Sequence, residues 1–554
     1  MILLEVRLPT QLVNLDAMIP REDFREIIGA TADNRRISEI RVEDLEYGRP
    51  LFGSLRKPDF QRVTANWSAE KIADFIKSFL NEEFVPSLIM WDSKLNGKIF
   101  VIDGAHRLSA LMAWVNNDYG NGTLSKSFFG EDGISDAQKR HARATSDLIQ
   151  NAGTYADLKL YAQNQDKAPN EETLVKARKL FTSKLDLQWV GGDDKTAESS
   201  FFKINVSATL IDPTELGILR ARKKPNAIAT RALIHAGRGH KFWSEFPPEQ
   251  QRETEALAQS VNDILFRPIL QDPIKTLELP IAGHSYGPHS FQMMLDLVNT
   301  VNNITPAMWM PSSSGRKAKG PTVTPLSDDT TGEETVSFLN NVRAAAWLLS
   351  GDQAGSLGLH PIVYFYGVTG KFHPVALLAA IRFFSRLSRD NKLIDFTIHR
   401  RTFEEFLVHN RHFINDLSHS KGSRTRPLES FILMYETVFI NVRAGTTNVG
   451  IIDALHDAGL KELEYIEESE EQYRKKFSRD TKSAAYLRDA IDSPLRCAIC
   501  KARLHSKSMS ADHAMKIAQG GTGDIENLRW THYYCNNSRD AIEDELSRRG
   551  ITIG

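Results

Sequence analysis

Residues 497–537 read CAICKARLHSKSMSADHAMKIAQGGTGDIENLRWTHYYCNN, and they hold all three cysteines of the chain. Cys497 and Cys500 form a C-x2-C pair, and His532 and Cys535 form an H-x2-C pair about thirty residues later. Thiolate and imidazole hold zinc tetrahedrally, so two such knuckles supply a complete set of four ligands. Three clustered cysteines in a chain of 554 residues argue for metal rather than a disulfide framework, and so for a reducing cytoplasm. The spacing predicts a small module built around structural Zn2+.

Between the knuckles lie Asp512-His513, a Gly520-Gly521 turn and Asn527; Asn536 follows the last cysteine. Cutting a phosphodiester needs a base that activates water and a divalent cation that neutralises charge on the phosphate and the leaving oxygen. Asp512 offers a hard oxygen ligand beside a base, His513. Asn527 can accept the imidazole N–H and fix its tautomer. Asn536, at the start of the final helix, can complete a Mg2+ or Mn2+ site with its amide oxygen. Over residues 490–545 this pattern resembles the His-Asn-His endonuclease family in its zinc-bearing, McrA-like form. The resemblance implies that Asp512 is a metal ligand, His513 the general base, Asn527 the orienting residue and Asn536 the last motif position. His532 stands where that family more often has cysteine.

Outward from this module, length alone calls for two to four domains. Net charge is −1, so no global field marks the chain as a nucleic-acid binder and any such contact rests on local patches. No apolar run reaches the length of a membrane span, and Glu5 and Arg7 interrupt the first apolar stretch, against a signal peptide. Seven basic residues and no acidic one fall between Arg220 and Lys241 (Arg220, Arg222, Lys223, Lys224, Arg231, Arg238, Lys241), a local field suited to phosphates.

Near the start, Pro58-Asp59-Phe60-Gln61-Arg62 is followed by Trp67, and Ser68 reads as the N-cap of a helix with Ile72, Phe75, Ile76 and Phe79 on one face. After Val85-Pro86 a buried strand runs to Trp91, Asn96-Gly97 makes a tight turn, and a second strand ends in Asp103-Gly104-Ala105-His106-Arg107. A strand passing through Asp-Gly into a helix that holds His and Arg is an anion-binding corner, with backbone N–H groups and a guanidinium as donors. Gln61-Arg62 with the Asp103–Arg107 run resembles the ParB/sulfiredoxin-like NTPase domain of GmrSD-like and SspE-like restriction proteins. Ala105 replaces the usual Gln, and His106-Arg107 is similar to a variant seen in DNA-modification-associated proteins. The resemblance covers about the first 245 residues. It implies an NTP or modified DNA as ligand of Gln61, Arg62, Asp103, Gly104, His106 and Arg107, and adds Asn205 and Glu215 as candidates.

The expected fold is therefore an α+β multidomain chain. A ParB/sulfiredoxin-like α/β domain spans 1–245, with a polar insertion near 120–200. A mainly helical middle region spans 246–480, with a Ser/Gly/Pro-rich loop near 311–334 and a buried strand or apolar segment at Ile362–Val368. A ββα-metal, treble-clef nuclease domain spans 481–554, tethered by a charged helix that starts near Leu460. His284, Tyr286 and His289, and the basic loop Ser418–Arg426, are secondary candidates. The expected function is a metal-dependent DNA endonuclease, gated by an N-terminal NTP-binding or modification-sensing domain. That is a type IV-like restriction or anti-phage protein acting on modified or phage DNA, with no membrane partner and with oligomerisation open. The reading from another class is a non-cleaving DNA-binding regulator.

Overall fold

The computed structural model describes all residues except 1–11, 25–35, 62–63, 65–66, 94–95, 131–133, 135, 151, 181, 209–216, 220, 272, 285–289, 310–323, 420–424, 465–478 and 552–554. The chain divides into two compact units. The first is Met1–Arg222 with Arg238–Phe242; the second is Lys223–Gly237 with Trp243–Gly554. Among the described residues no helix is long and apolar enough to cross a membrane.

The first unit is built on a six-stranded mixed sheet. Its strands are β1 (Arg21–Glu22), β2 (Glu39–Arg41), β3 (Leu55–Pro58), β4 (Leu88–Asp92), β5 (Ile99–Asp103) and β6 (Lys184–Trp189), in the spatial order β1-β3-β5-β4-β6-β2. β1, β3 and β5 run parallel to one another, and β4 runs antiparallel to β5. Alternation sorts the central strands onto two faces. Leu88, Met90 and Val101 join one core with helices α1 (Ala69–Leu80) and α2 (Ala105–Val115). Trp91, Phe100 and Ile102 join a second core with Phe60 and with Phe201 of helix α3 (Asp194–Ala208). Ser68 caps α1 by accepting from Lys71 N, as its sequence requires.

The polar stretch 120–200, expected as an insertion, is part of this sheet. β6 pairs with β4 on one side and β2 on the other, and Ala177, Leu180 and Leu185 enter the main core. Its charged residues lie on the outer faces of helices, and that composition concealed the strand.

A buried ion cluster ties the start of the unit to β3. Asp16 bonds Lys57 Nζ at 2.5 Å, Arg21 Nη2 at 3.0 Å and the Thr64 amide at 3.0 Å. Burial raises the Asp16 carboxyl, yet Lys57 and Arg21 outweigh it and hold it well below the usual carboxylate range. Burial also pushes the Lys57 ammonium down to about 8, more than Asp16 restores.

The second unit is a helical body that carries the zinc-spaced segment. Its main helices are α4 (Pro225–Ile234), α5 (Pro248–Phe266), α6 (Ser290–Val301), α7 (Glu333–Ser350), α8 (Pro374–Arg389), α9 (Leu393–His409), α10 (Thr425–Arg443) and α11 (Arg479–Ala490). Phe383, Phe384, Phe396, Phe403, Tyr435 and Phe439 interlock across α8, α9 and α10. The apolar run at Ile362, expected as strand or short apolar segment, is a helical turn, Pro361–Tyr364, followed by a bridge between Tyr366 and Phe372. It is buried on every side, so its composition carries no period to separate the two states.

The charged tether falls partly at 465–478, outside the described residues, and continues as α11. The C-terminal module does not hang from it alone. Glu404 of α9, fully buried, accepts from Arg400 Nε at 2.7 Å, the Tyr364 hydroxyl at 3.1 Å and the Arg503 amide at 3.3 Å. Arg496 pairs with Glu405 and Arg549 with Asp395. Lys507 donates to the carbonyls of Asp263 and Ile264 at 2.9 Å, near the C-terminal end of α5, where carbonyls lack helical partners. The nuclease-like module and the helices thus share one body.

Candidate active site

The first knuckle is a tight reversal. Cys497 N bonds Ala502 O, Lys501 N bonds Cys497 O, and Lys501 takes the left-handed conformation at φ 60°. The second lies where strand β8 (Leu528–His532) enters helix α12 (Tyr533–Asn537). One ligand atom from each of Cys497, Cys500, His532 and Cys535 lies within 4.8 Å of the others, all buried and with no disulfide. Burial raises the Cys497 thiol, but hydrogen bonds from Cys500, Cys535 and His532 hold it well below the usual thiol range. Burial and then that neighbour push Cys500 far above it. A divalent cation that takes both thiolates relieves this conflict, so the set fits zinc. His532 Nε2 bonds the Arg503 carbonyl at 3.1 Å, which leaves Nδ1 toward Cys500 at 3.4 Å.

Between the knuckles, β7 (Met509–His513) and β8 form an antiparallel hairpin, followed by α12 and α13 (Arg539–Arg549). The register pairs His513 with Leu528, Asp512 with Arg529 and Ala511 with Trp530. Gly520 takes φ 89°, and a Cβ on Gly521 would lie 1.9 Å from Met515 O, so both positions of the turn require glycine.

Asp512, 8% exposed, is gripped by two guanidinium groups: Arg529 Nε to Oδ2 at 2.8 Å and Arg539 Nη1 to Oδ1 at 3.4 Å. Arg539 also bonds the carbonyls of His513 at 2.6 Å and Ala514 at 2.9 Å. Asn536 donates to Ser510 Oγ at 2.9 Å and Ala511 O at 3.0 Å, which leaves its amide oxygen for another partner. Ser510 lies two residues from Asp512, so Asn536 and Asp512 address the same strand face. The His513 imidazole, half-buried at the strand end, makes no hydrogen bond with the described residues.

Asn527 departs from its expected contact. Its carboxamide accepts from Met515 N at 2.7 Å and donates to the carbonyls of Thr522 at 2.7 Å and Met515 at 3.1 Å. Both ends are used by the loop after His513, so Asn527 orders that loop rather than bonding the imidazole. Arg529 and Arg539 were not legible as site residues. Arg529 becomes visible only with the strand register. Arg539 had one signal, its i+3 spacing from Asn536.

In the first unit, Gln61 follows β3, and Gly104–Arg107 follow β5. The parallel pairing puts both segments at one edge, outside the carboxyl ends of neighbouring strands, where open α/β sheets place ligands. Gly104 is the N-cap of α2 at φ 93°, and a Cβ there would lie 2.4 Å from Leu88. Asp103 Oδ2 accepts from Arg107 Nη2 at 2.8 Å, and the His106 ring stacks on Trp67 at 5.9 Å. Gln61 is buried, with its side-chain oxygen unpartnered among the described residues. Arg62 and Glu215 lie outside the described residues, as does the side chain of Asn205.

The basic run is divided: Lys223, Arg238 and Lys241 are exposed and Arg220 lies outside the described residues, while the other three are engaged in the fold. Arg222 is bound to Asp59 at 3.2 Å and Glu198 at 2.7 Å, Lys224 to Asp328 at 2.9 Å, and Arg231 is buried in α4. These three charges are used inside the fold. Tyr286, His289 and most of the loop Ser418–Arg426 lie outside the described residues; His284 is exposed.

No curated protein and no solved structure matches the chain. Two family models do match it, at the two sites just described: "GmrSD restriction endonuclease, N-terminal domain" at residues 42–221, and "HNH endonuclease" at residues 497–541. The second contains the zinc-fitting set, the hairpin, Asp512, His513, Asn527, Asn536 and Arg539. The chain thus joins a GmrSD restriction endonuclease N-terminal domain to a C-terminal HNH endonuclease domain, and the protein is a nuclease.

Proposed function

We propose that the protein is a metal-dependent DNA endonuclease whose cutting is licensed by its N-terminal domain, a type IV-like restriction or anti-phage activity in the cytoplasm. The observation that carries this reading is the join at the hairpin end. There Asp512 and the free amide oxygen of Asn536 address one face, and His513, which follows Asp512 as the last residue of the strand, carries an imidazole bonded to no described residue, all fixed to a Cys3His scaffold.

An all-oxygen pair of donors suits a hard cation, Mg2+ or Mn2+. Asp512 and Asn536 would hold such an ion, which when bound would neutralise charge on the scissile phosphate and its leaving oxygen. The chain's own residues do the rest. His513 takes the proton from the attacking water at an imidazole nitrogen as the water oxygen bonds phosphorus and the sugar oxygen departs. Asn527 fixes the loop that follows the base. Arg539 ties the backbone of His513 and Ala514 to the last helix.

The licensing ligand belongs at the carboxyl edge of β3 and β5, with Gln61, Gly104 and Arg107 as its contacts. A nucleoside triphosphate fits the open helix start at Gly104 and the Arg107 guanidinium; modified DNA is the other ligand this edge would take. The reading as a non-cleaving DNA-binding regulator draws on one observation: both carboxylate oxygens of Asp512 face arginines. Incubating modified and unmodified phage DNA with the full chain, Mg2+ and each nucleotide separates these readings. Cutting of modified DNA that depends on both His513 and Arg107 supports the gated nuclease. Retention of DNA with no cut under any condition supports the regulator.

A further inference from the structure

The chemistry described so far leaves the outer face of the hairpin unexplained. Met515, Ile517, Ile525, Leu528 and Trp530, five of the large apolar side chains exposed among the described residues, crowd into one sixteen-residue stretch. Leu528 is 43% exposed and Trp530 41%. Leu528 is the cross-strand neighbour of His513, and Trp530, opposite Ala511, comes next on the same face, because residues two apart on a strand point the same way. An apolar face beside a polar catalytic group costs solubility and needs an occupant.

We infer that Trp530 and Leu528 form a stacking platform for bases unstacked from the DNA duplex beside the scissile phosphate. The inference rests on the nuclease reading of His513. A protein partner or second copy seated on this face would cover the residue opposite His513 and crowd the imidazole away from substrate. DNA is the occupant that has to reach it. Once a phosphodiester lies at His513, the sugars and bases flanking it lie against Leu528 and Trp530. The nearby charges do not form a basic groove: Lys516 is paired with Asp540 and Glu543, and Arg529 with Asp512. The face therefore offers aromatic and aliphatic surface rather than cations, which favours exposed bases over an intact duplex exterior. The substrate class is DNA with a mismatch, a bubble or a flipped base at the cut.

The test uses the full chain with Mn2+ and two oligonucleotide duplexes of the same length, one fully paired and one with a central bubble carrying 2-aminopurine. Wild type is expected to cut the bubble faster. Trp530→Ala should lose roughly tenfold on the bubble, the loss of about one base–aromatic stack, and little on the paired duplex. Trp530→Phe should keep most of the bubble activity. The cleavage-dead His513→Ala protein should quench 2-aminopurine, and the His513→Ala/Trp530→Ala protein should not. Equal cutting of both duplexes by wild type and Trp530→Ala, with unchanged quenching, overturns the platform while leaving the nuclease intact. No cutting by wild type overturns the nuclease reading, and the quenching then reads the platform alone. A dimer that Trp530→Ala converts to monomer, with quenching and cutting per chain unchanged, assigns the face to a second copy and overturns the inference.

Discussion

Arg529 stands directly across the hairpin from Asp512 and donates to its carboxylate at 2.8 Å. The residue assigned to a catalytic cation is therefore neutralised by its own strand partner. The Nη2 atom of Arg529 is buried with no partner among the described residues, so the guanidinium is committed to Asp512 through one side only. A cation held at Asp512 would lie beside this positive charge. Arg529→Met should accordingly tighten Mn2+ binding roughly fivefold, about 1 kcal/mol of relieved repulsion at a partly exposed site. Electron paramagnetic resonance titration of zinc-loaded protein measures this, and weaker binding by the variant contradicts it.

Removing the zinc ligands should unfold the C-terminal module and not merely inactivate it. Cys497, Cys500 and Cys535 are themselves the centre of a small core with Ile499, Ala502, Leu504 and Ile542. A core of that size, with zinc held at its centre, would depend on the metal to stand. Cys500→Ser should abolish bound zinc by mass spectrometry and make residues 491–549 sensitive to protease. A variant that loses zinc and stays resistant would assign the site no structural role.

Glu404 is the buried carboxylate on which the helical body and the first knuckle meet. Glu404→Ala leaves Arg400 without its ion pair in a dry site, which costs about 3–5 kcal/mol. Chemical denaturation of the full chain should show this loss. Hydrogen exchange should rise at Arg503 and along β7. Exchange confined to α9 would mean that the module is held by its other contacts.

The ion cluster of the first unit predicts an acid limb. The folded Asp16 carboxyl lies below its ordinary value of 3.8, so its contribution to stability is complete above that pH and is lost as pH falls beneath it. The folded Lys57 lies near 8 against 10.5 unfolded, so the unfolded chain binds more protons between those values and stability rises with pH across that window. Asp16→Asn should lower stability at pH 7 by about 3–5 kcal/mol, as expected for breaking a buried pair. It should also flatten the fall in melting temperature below pH 4. An unchanged acid limb would assign it to other carboxylates.

The Cys3His cluster was legible because four metal-binding side chains at fixed spacing have one common use, and the strand–turn–helix at Asp103–Arg107 because local turn chemistry writes itself into adjacent residues. Three features were not legible, for one reason: each is made by residues far apart in sequence. β6 belongs to the sheet through pairing with β4, which polar composition conceals. Glu404 and Arg503 meet across 99 positions. Arg529 reaches Asp512 only once the register is known. The contact of Asn527 was not legible, since an amide beside a base can bond either the ring or the loop.

The most direct test is cleavage of supercoiled plasmid and modified phage DNA by zinc-loaded full-length protein with Mg2+ or Mn2+, compared with His513→Ala. The nuclease described above should nick or linearise DNA only with the divalent ion, and His513→Ala should lose at least about a hundredfold in rate, the low end of what a general base supplies, with its zinc retained. Equal cutting by wild type and His513→Ala would contradict the assignment of the active site to the hairpin.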